Sequence, residues 1–236
     1  MNPDPARQRQ LAEFSEGIGF AFRNPACLDQ ALTHSSYANE NPGTVSEDNQ
    51  RLEYLGDALL GFLVAEWLYE RYPGSQEGEL TSLRIFVIRT ESLAQVGREL
   101  HIGPYLRMGR GEDESGGRQR AANLCAAVEA FVAALYLDRG LETTRAMVRQ
   151  LLETLSFDIE RQRSHKNAKS YLQEFTQSAL QVTPTYAIIA EQGPDHERTF
   201  VAEVRVADEV WGEGTGRSKQ AAEQAAAQKA IEQRAL

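Results

Sequence analysis

The stretch Asp48-Asn49-Gln50-Arg51-Leu52-Glu53-Tyr54-Leu55-Gly56-Asp57 opens a run in which apolar residues recur at helical steps: Leu52, Leu55, Leu59, Leu60, Leu63 and Val64. The pattern predicts a helix from about Asp48 to Tyr69 that ends ahead of Pro73-Gly74. Beyond Asp57 it is apolar on most faces, so it should be buried on several sides, in a core or against a second subunit. Glu53 and Asp57, four residues apart, share one face. Two carboxylates converging beside a core are costly unless protons, cations or a metal offset their charge, and a hard cation such as Mg²⁺ accepts such oxygens. By spacing alone, a solvated acidic helix face is the commoner outcome.

Outward from this helix the period stays helical from Gln8 to about Phe157. Further helices are expected over Glu79–Ile88, Glu91–Leu100, Ala122–Asp138 and Leu141–Asp158, with a glycine-rich loop through Gly109-Arg110-Gly111 and Gly116-Gly117. The polar stretch from Arg161 to Asn167 is expected to be a linker. After it the period changes: a helix over Ser170–Leu180, strands over Thr185–Glu191, Thr199–Val206 and Val210–Gly214, and an alanine-rich helix over Ser218–Arg234. The fold class is therefore an all-α N-terminal domain followed by a small α+β domain of order α-β-β-β-α. The expected boundaries are 8–158 for the first, 159–166 for the linker and 167–236 for the second.

Charge divides the chain in the same place. Residues 1–160 hold 15 Arg, no Lys and 24 acidic residues, whereas residues 161–236 hold 10 basic and 10 acidic ones, all four lysines among them. The formal net charge of −9 thus lies in the first part, and the second is near neutral with local basic clusters. No apolar run approaches the roughly 20 residues of a bilayer span. The N-terminal residues lack the apolar core of a secretory signal, so a cytoplasmic protein with no membrane partner is expected. The two cysteines, Cys27 and Cys125, stand alone without zinc-site spacing and read as reduced, buried thiols.

Asn49 to Asp57 is similar to the nine-residue signature of bacterial ribonuclease III, and Leu32-Thr33-His34-Ser35-Ser36-Tyr37-Ala38-Asn39-Glu40 to the block that precedes it. Ser115-Gly116-Gly117-Arg118, Val128-Glu129-Ala130 and Tyr136-Leu137-Asp138 match later blocks in order and distance, so the resemblance runs from about Leu11 to Ile231. It implies a homodimeric endonuclease that cleaves double-stranded RNA, in RNA processing, to 5′-phosphate and 3′-hydroxyl ends. Mg²⁺ would be the cofactor, with Mn²⁺ as a substitute, and no small-molecule cofactor is implied. It also implies metal-binding roles for Glu53, Asp57 and Glu129, with Asp57 and Glu129 most needed for the chemistry. Gln50 and Glu77 match positions tied to RNA contact or subunit pairing; a solvated helix start is an equal reading for Glu77.

Two positions depart from the family. Gln50 stands where a Glu is usual, and Ala126, three residues before Glu129, where an Asp is usual. A methyl group neither ligates a metal nor orients its water. The alternative reading is therefore a duplex-RNA-binding dimer whose nuclease domain is attenuated or inactive. His34 reads as a structural histidine, while Arg110, Arg118 and Arg120 are candidates to line a phosphate path.

The last part resembles a double-stranded-RNA-binding domain: Lys169-Ser170-Tyr171-Leu172-Gln173-Glu174 matches its first helix, Gly193-Pro194-Asp195-His196 a loop between strands, and Gly214 to Lys219 the start of its last helix. Such domains read duplex shape through 2′-hydroxyls and phosphates. The resemblance implies that Gln173 and Glu174 meet 2′-hydroxyls, that His196 enters a second minor groove, and that Arg217 and Lys219 grip phosphates. Gln220, where a second lysine is common, predicts weaker phosphate binding.

Overall fold

The structure, a computed structural model, describes residues 4–45, 47–166, 168–194, 198–234 and 236, with the backbone alone at 164–166. The chain divides into two compact units, Met1–Ser156 and Phe157–Leu236.

The first unit is helical. Its helices are α1 (Pro5–Ile18), α2 (Pro25–Ala31), α3 (Ser35–Glu40), α4 (Gln50–Arg71), α5 (Glu77–Ile88), α6 (Thr90–Glu99), α7 (Arg110–Glu114), α8 (Ala121–Arg139) and α9 (Leu141–Thr154). Several start where the sequence supplies caps: Asp4 accepts from the backbone N–H groups of Ala6 and Arg7, and Asn24 from that of Ala26, each followed by a proline suited to the first turn. At the centre α8 lies along α4, α6 and α2. Contrary to the expectation that no apolar run approaches a bilayer span, α8 is long and apolar enough for one by length and composition alone. Here ten of its residues between Leu124 and Leu135 are buried instead, which makes it the core helix of the unit.

Of the two uses its pattern left open for the apolar face of α4, a core or a second subunit, the structure shows the core. Leu60, Leu63 and Val64 are buried within the unit, so they are not available to a second subunit. The large apolar side chains that α4 does expose are Tyr54, Phe62 and Tyr69, spaced eight and seven residues apart along its other side. One buried polar cluster ties the unit together: Asp29 accepts from Arg7 Nε at 2.7 Å and from Arg107 Nη1 at 2.9 Å.

The second unit contains helix α11 (Ala168–Leu180), strands β1 (Thr185–Gln192), β2 (Thr199–Val206) and β3 (Glu209–Gly216), and helix α12 (Lys219–Arg234). The strands form an antiparallel sheet of order β1-β2-β3. Its core joins Leu172 of α11, Ala202, Val204 and Val206 of β2, and Trp211 of β3 to Ala222, Ala226, Ala227 and Ala230 of α12. The alanines have a partner pattern on the sheet. A Cβ added at Gly212, Gly214 or Gly216 would sit 2.5, 2.1 or 2.5 Å from backbone atoms of Ala226, Ala226 or Ala222. Glycine at every second residue of β3 and alanine along α12 let backbone lie on backbone.

The stretch expected to be a linker is instead helix α10, Ser156–Lys166, and the helix expected to run to Asp158 ends at Thr154, with Leu155 as its cap. Glu160, Arg161, Gln162 and Arg163 are straight-chain residues that lose little side-chain freedom in a helix, and neither Gly nor Pro interrupts them. Ile159 and Arg163, one turn apart, are both buried.

Candidate active site and nucleic-acid interface

A cavity of about 570 Å³ opens between α4 and α8, lined by Glu53, Asp57 and Glu129 together with Gln50, Tyr54, Thr90, Ala122, Cys125 and Ala126. Glycine decides how the two helices meet. A Cβ at Gly56 would lie 1.8 Å from the backbone oxygen of Glu129, so only a residue without a side chain lets α8 pass this close to α4 between Glu53 and Asp57. The result brings the carboxylates of two helices to one cavity, with Glu53 and Glu129 half-buried and Asp57 exposed.

Burial pushes the Glu129 carboxyl up to about 7, and the charges of Asp57 and Glu53 push the same way. Burial also raises Glu53, helped by Asp48 and opposed by His34. The Cys125 thiol reaches Glu129 Oε1 at 3.6 Å. Burial, followed by the charge of Glu129, pushes that thiol up to about 12, so it stays protonated and donates.

The donors facing the cavity are hard oxygens, and the like charges that burden Glu129 are what a divalent cation offsets. Among the described residues no three or more His, Cys, Asp or Glu side chains are grouped closely enough to hold a metal ion as they stand. Ala126 lines the same cavity and offers it only a methyl group. Gln50, the first residue of α4, is exposed at the same cavity; Glu77, the first residue of α5, is exposed and accepts from Thr81 Oγ1 at 3.1 Å.

Other residues singled out in the sequence have local work. His34 is the N-cap of α3, its Nδ1 facing Ser36 N at 3.2 Å and Ser36 Oγ at 2.8 Å. Arg118 spans Asp113 and the carbonyls of Gly103, Pro104 and Leu106, so it clamps a loop. Arg110 pairs with Glu114 and Arg120 with Glu112.

In the second unit Gln173 and Glu174 are exposed neighbours on α11. Arg217 is exposed ahead of α12, whose N-terminus is capped by Ser218 through a hydrogen bond from Ala221 N at 3.1 Å. Lys219 opens that helix, with Nζ 3.6 Å from Glu191 Oε1. The expected role of His196 falls outside the described residues. Sequence reasoning assigned no functional part to Gly56, Cys125 or Arg163. Only Gly56 carried a signal, as a glycine inside an otherwise strong helix pattern.

A helical unit with carboxylates at an interhelical cavity, joined to an α-β-β-β-α unit, defines the class: a nuclease-type domain with a duplex-RNA-binding domain. Residues 24–155 match the family described as Ribonuclease-III-like, and residues 168–234 the double-stranded RNA binding motif. Over 223 residues the chain is 45% identical to "Ribonuclease 3" of Dehalococcoides mccartyi, covering 94% of each. It is 46% identical over 226 residues to "Ribonuclease 3" of Desulforamulus reducens, covering 96% of this chain and 92% of that one. A solved nuclease domain of ribonuclease III from Campylobacter jejuni, described with a flexible region involved in dimer formation, superposes with a TM-score of 0.56 at 30% identity. The match covers 60% of this chain and 95% of that one. The chain belongs to the ribonuclease III family.

Proposed function

We propose that Glu53, Asp57 and Glu129 form the Mg²⁺-dependent hydrolytic site of this double-stranded-RNA endoribonuclease, with Mn²⁺ able to substitute. The observation that carries the assignment is the convergence of these carboxylates on one cavity, with Glu129 pushed up to about 7 by burial and by its neighbours' charge. When bound, the metal supplies a water of lowered pKa and offsets charge on the scissile phosphate. Asp57 and Glu53 from α4 and Glu129 from α8 would hold the cation, and the Cys125 thiol orients Glu129 Oε1. The products have 5′-phosphate and 3′-hydroxyl ends.

The second unit supplies affinity. Gln173 and Glu174 meet 2′-hydroxyls in one minor groove, while Arg217 and Lys219 grip phosphates beside the N-terminus of α12. A homodimer places two such sites on one duplex. The exposed Tyr54, Phe62 and Tyr69 of α4, with Tyr54 at 84% exposure, support pairing through that face. Processing of cellular RNA fits a cytoplasmic location.

Asp57→Asn and Glu129→Gln test the site. Each is expected to abolish cleavage of long duplex RNA in Mg²⁺ while duplex affinity, measured in Ca²⁺, stays within about twofold, because ligation and RNA gripping use different surfaces. Cleavage by either variant at near parental rate would remove that residue from the site.

A further inference from the structure

We infer that Arg163, in helix α10 at the start of the second unit, is a positioning residue for RNA recognition: it sets the carboxylate of Glu174 for a 2′-hydroxyl. The inference rests on the proposed reading of Glu174 as an RNA contact.

Arg163 is unusual for its place. It lies in the polar helix α10, yet its side chain is only 6% exposed. Its Nη2 donates to Glu174 Oε2 at 2.6 Å, and Glu160, one turn earlier, places a second carboxylate 3.9 Å from Nη1. A guanidinium removed from water needs a counter-charge, and the planar fork holds a carboxylate in one orientation. Glu174 is half exposed, so the same group that Arg163 anchors at one oxygen faces solvent beside Gln173.

Three consequences follow from the chemistry. A free glutamate on a helix surface samples several rotamers and loses that freedom on binding; one already held by Arg163 has less to lose. A carboxylate entering a minor groove approaches a polyanion, and a cation at hydrogen-bond distance offsets part of that repulsion. With Oε2 occupied by Arg163, Oε1 is the acceptor for the 2′-hydroxyl, a donor that DNA lacks. Arg163, being buried, is not itself placed to grip phosphate. Helix α10 therefore belongs functionally to the recognition surface, which gives a reason for a helix where composition suggests a spacer.

The test measures binding of the full chain, in Ca²⁺, to an RNA duplex and to a DNA duplex of the same sequence, for Arg163→Gln, Glu174→Gln and the double variant, at several salt concentrations. Each single change is expected to weaken RNA binding about tenfold, as loss of a charge-assisted contact does, with DNA binding unchanged. The double variant should be no worse than either single one, since both remove the same contact. The slope of log affinity against log salt should stay parental, because no phosphate contact is lost. If Glu174→Gln binds RNA like the parent, the reading of Glu174 fails and takes the inference with it. If only Arg163→Gln binds like the parent, the inference alone fails. Additive losses, or a salt slope smaller by about one, would mean that Arg163 grips phosphate directly and would overturn the positioning role. Arg163→Met, which keeps the buried aliphatic volume, repeats the comparison if Arg163→Gln melts early. Parental RNA affinity in a folded Arg163→Met chain equally overturns the inference.

Discussion

Glu129 carries a charge conflict that the proposed cation would resolve. Its carboxyl is raised from an ordinary 4.5 to about 7, so between those values the folded chain holds a proton that the unfolded chain has released. Stability of the metal-free protein must then fall as pH rises from about 4.5 to about 7 and level off above. The group is partly exposed, and after solvent screening the loss should be on the order of 1 kcal/mol. Urea unfolding in a chelator at several pH values checks this, and Glu129→Gln should flatten the dependence. The same proton competes with the cation, so the Mg²⁺ concentration for half-maximal cleavage should drop as pH rises through about 7. Ala126 bears on the same quantity. It stands three residues before Glu129, so a carboxylate there would share its space. Ala126→Asp is expected to lower the Mg²⁺ requirement by about 10- to 100-fold, with duplex affinity in Ca²⁺ unaltered. Superimposable Mg²⁺ titrations of the two proteins would show that Cys125, Gln50 or water already fills the gap. The three carboxylates were legible in the sequence because a motif fixed their order. Cys125 was not: a lone cysteine in an apolar run looks the same whether it packs in a core or donates to a carboxylate, and only its place on α8, one turn before Glu129, separates the two.

At the scale of elements the two units are built on close backbone approach. Gly56→Ala would drive a methyl into the backbone of Glu129, and Gly214→Ala would do the same against Ala226 in the other unit. Overpacking of this kind costs about 1–3 kcal/mol or more, measurable as a shift in urea midpoint. The two changes should differ in function: Gly56→Ala should lose cleavage beyond its stability loss by displacing Glu129 from Asp57, whereas Gly214→Ala should lose duplex affinity. Most of these elements were readable from period alone; β2 begins and ends where alternation predicts, and α4, α5, α8 and α12 start and stop within about two residues. Two limits have a common cause. Apolar pattern says that a face is buried but not against what, so it left core and subunit interface both open for Leu60, Leu63 and Val64, which the structure buries within the unit. Likewise polarity made α10 a linker, although the charged Arg163 is a buried residue there, which composition does not reveal.

For the whole molecule, the net charge of −9 is reconciled with an RNA partner by division of labour: an acidic unit whose carboxylates are proposed to bind a cation, and a near-neutral unit with basic groups at one helix start. Exposed Tyr54, Phe62 and Tyr69 on α4 predict that the chain sediments as a dimer at micromolar concentration; a monomer there would contradict the pairing face. The central claim is that the chain, with Gln50 and Ala126 in place of two carboxylates, still hydrolyses duplex RNA through Glu53, Asp57 and Glu129. The most direct measurement incubates the parental protein with long, end-labelled duplex RNA and Mg²⁺ and follows fragment size and end chemistry. The expected result is short duplex fragments with 5′-phosphate and 3′-hydroxyl ends, appearing only with the metal. Full-length duplex at every Mg²⁺ and Mn²⁺ concentration, bound by the protein yet uncut, would contradict it and leave a duplex-RNA-binding dimer.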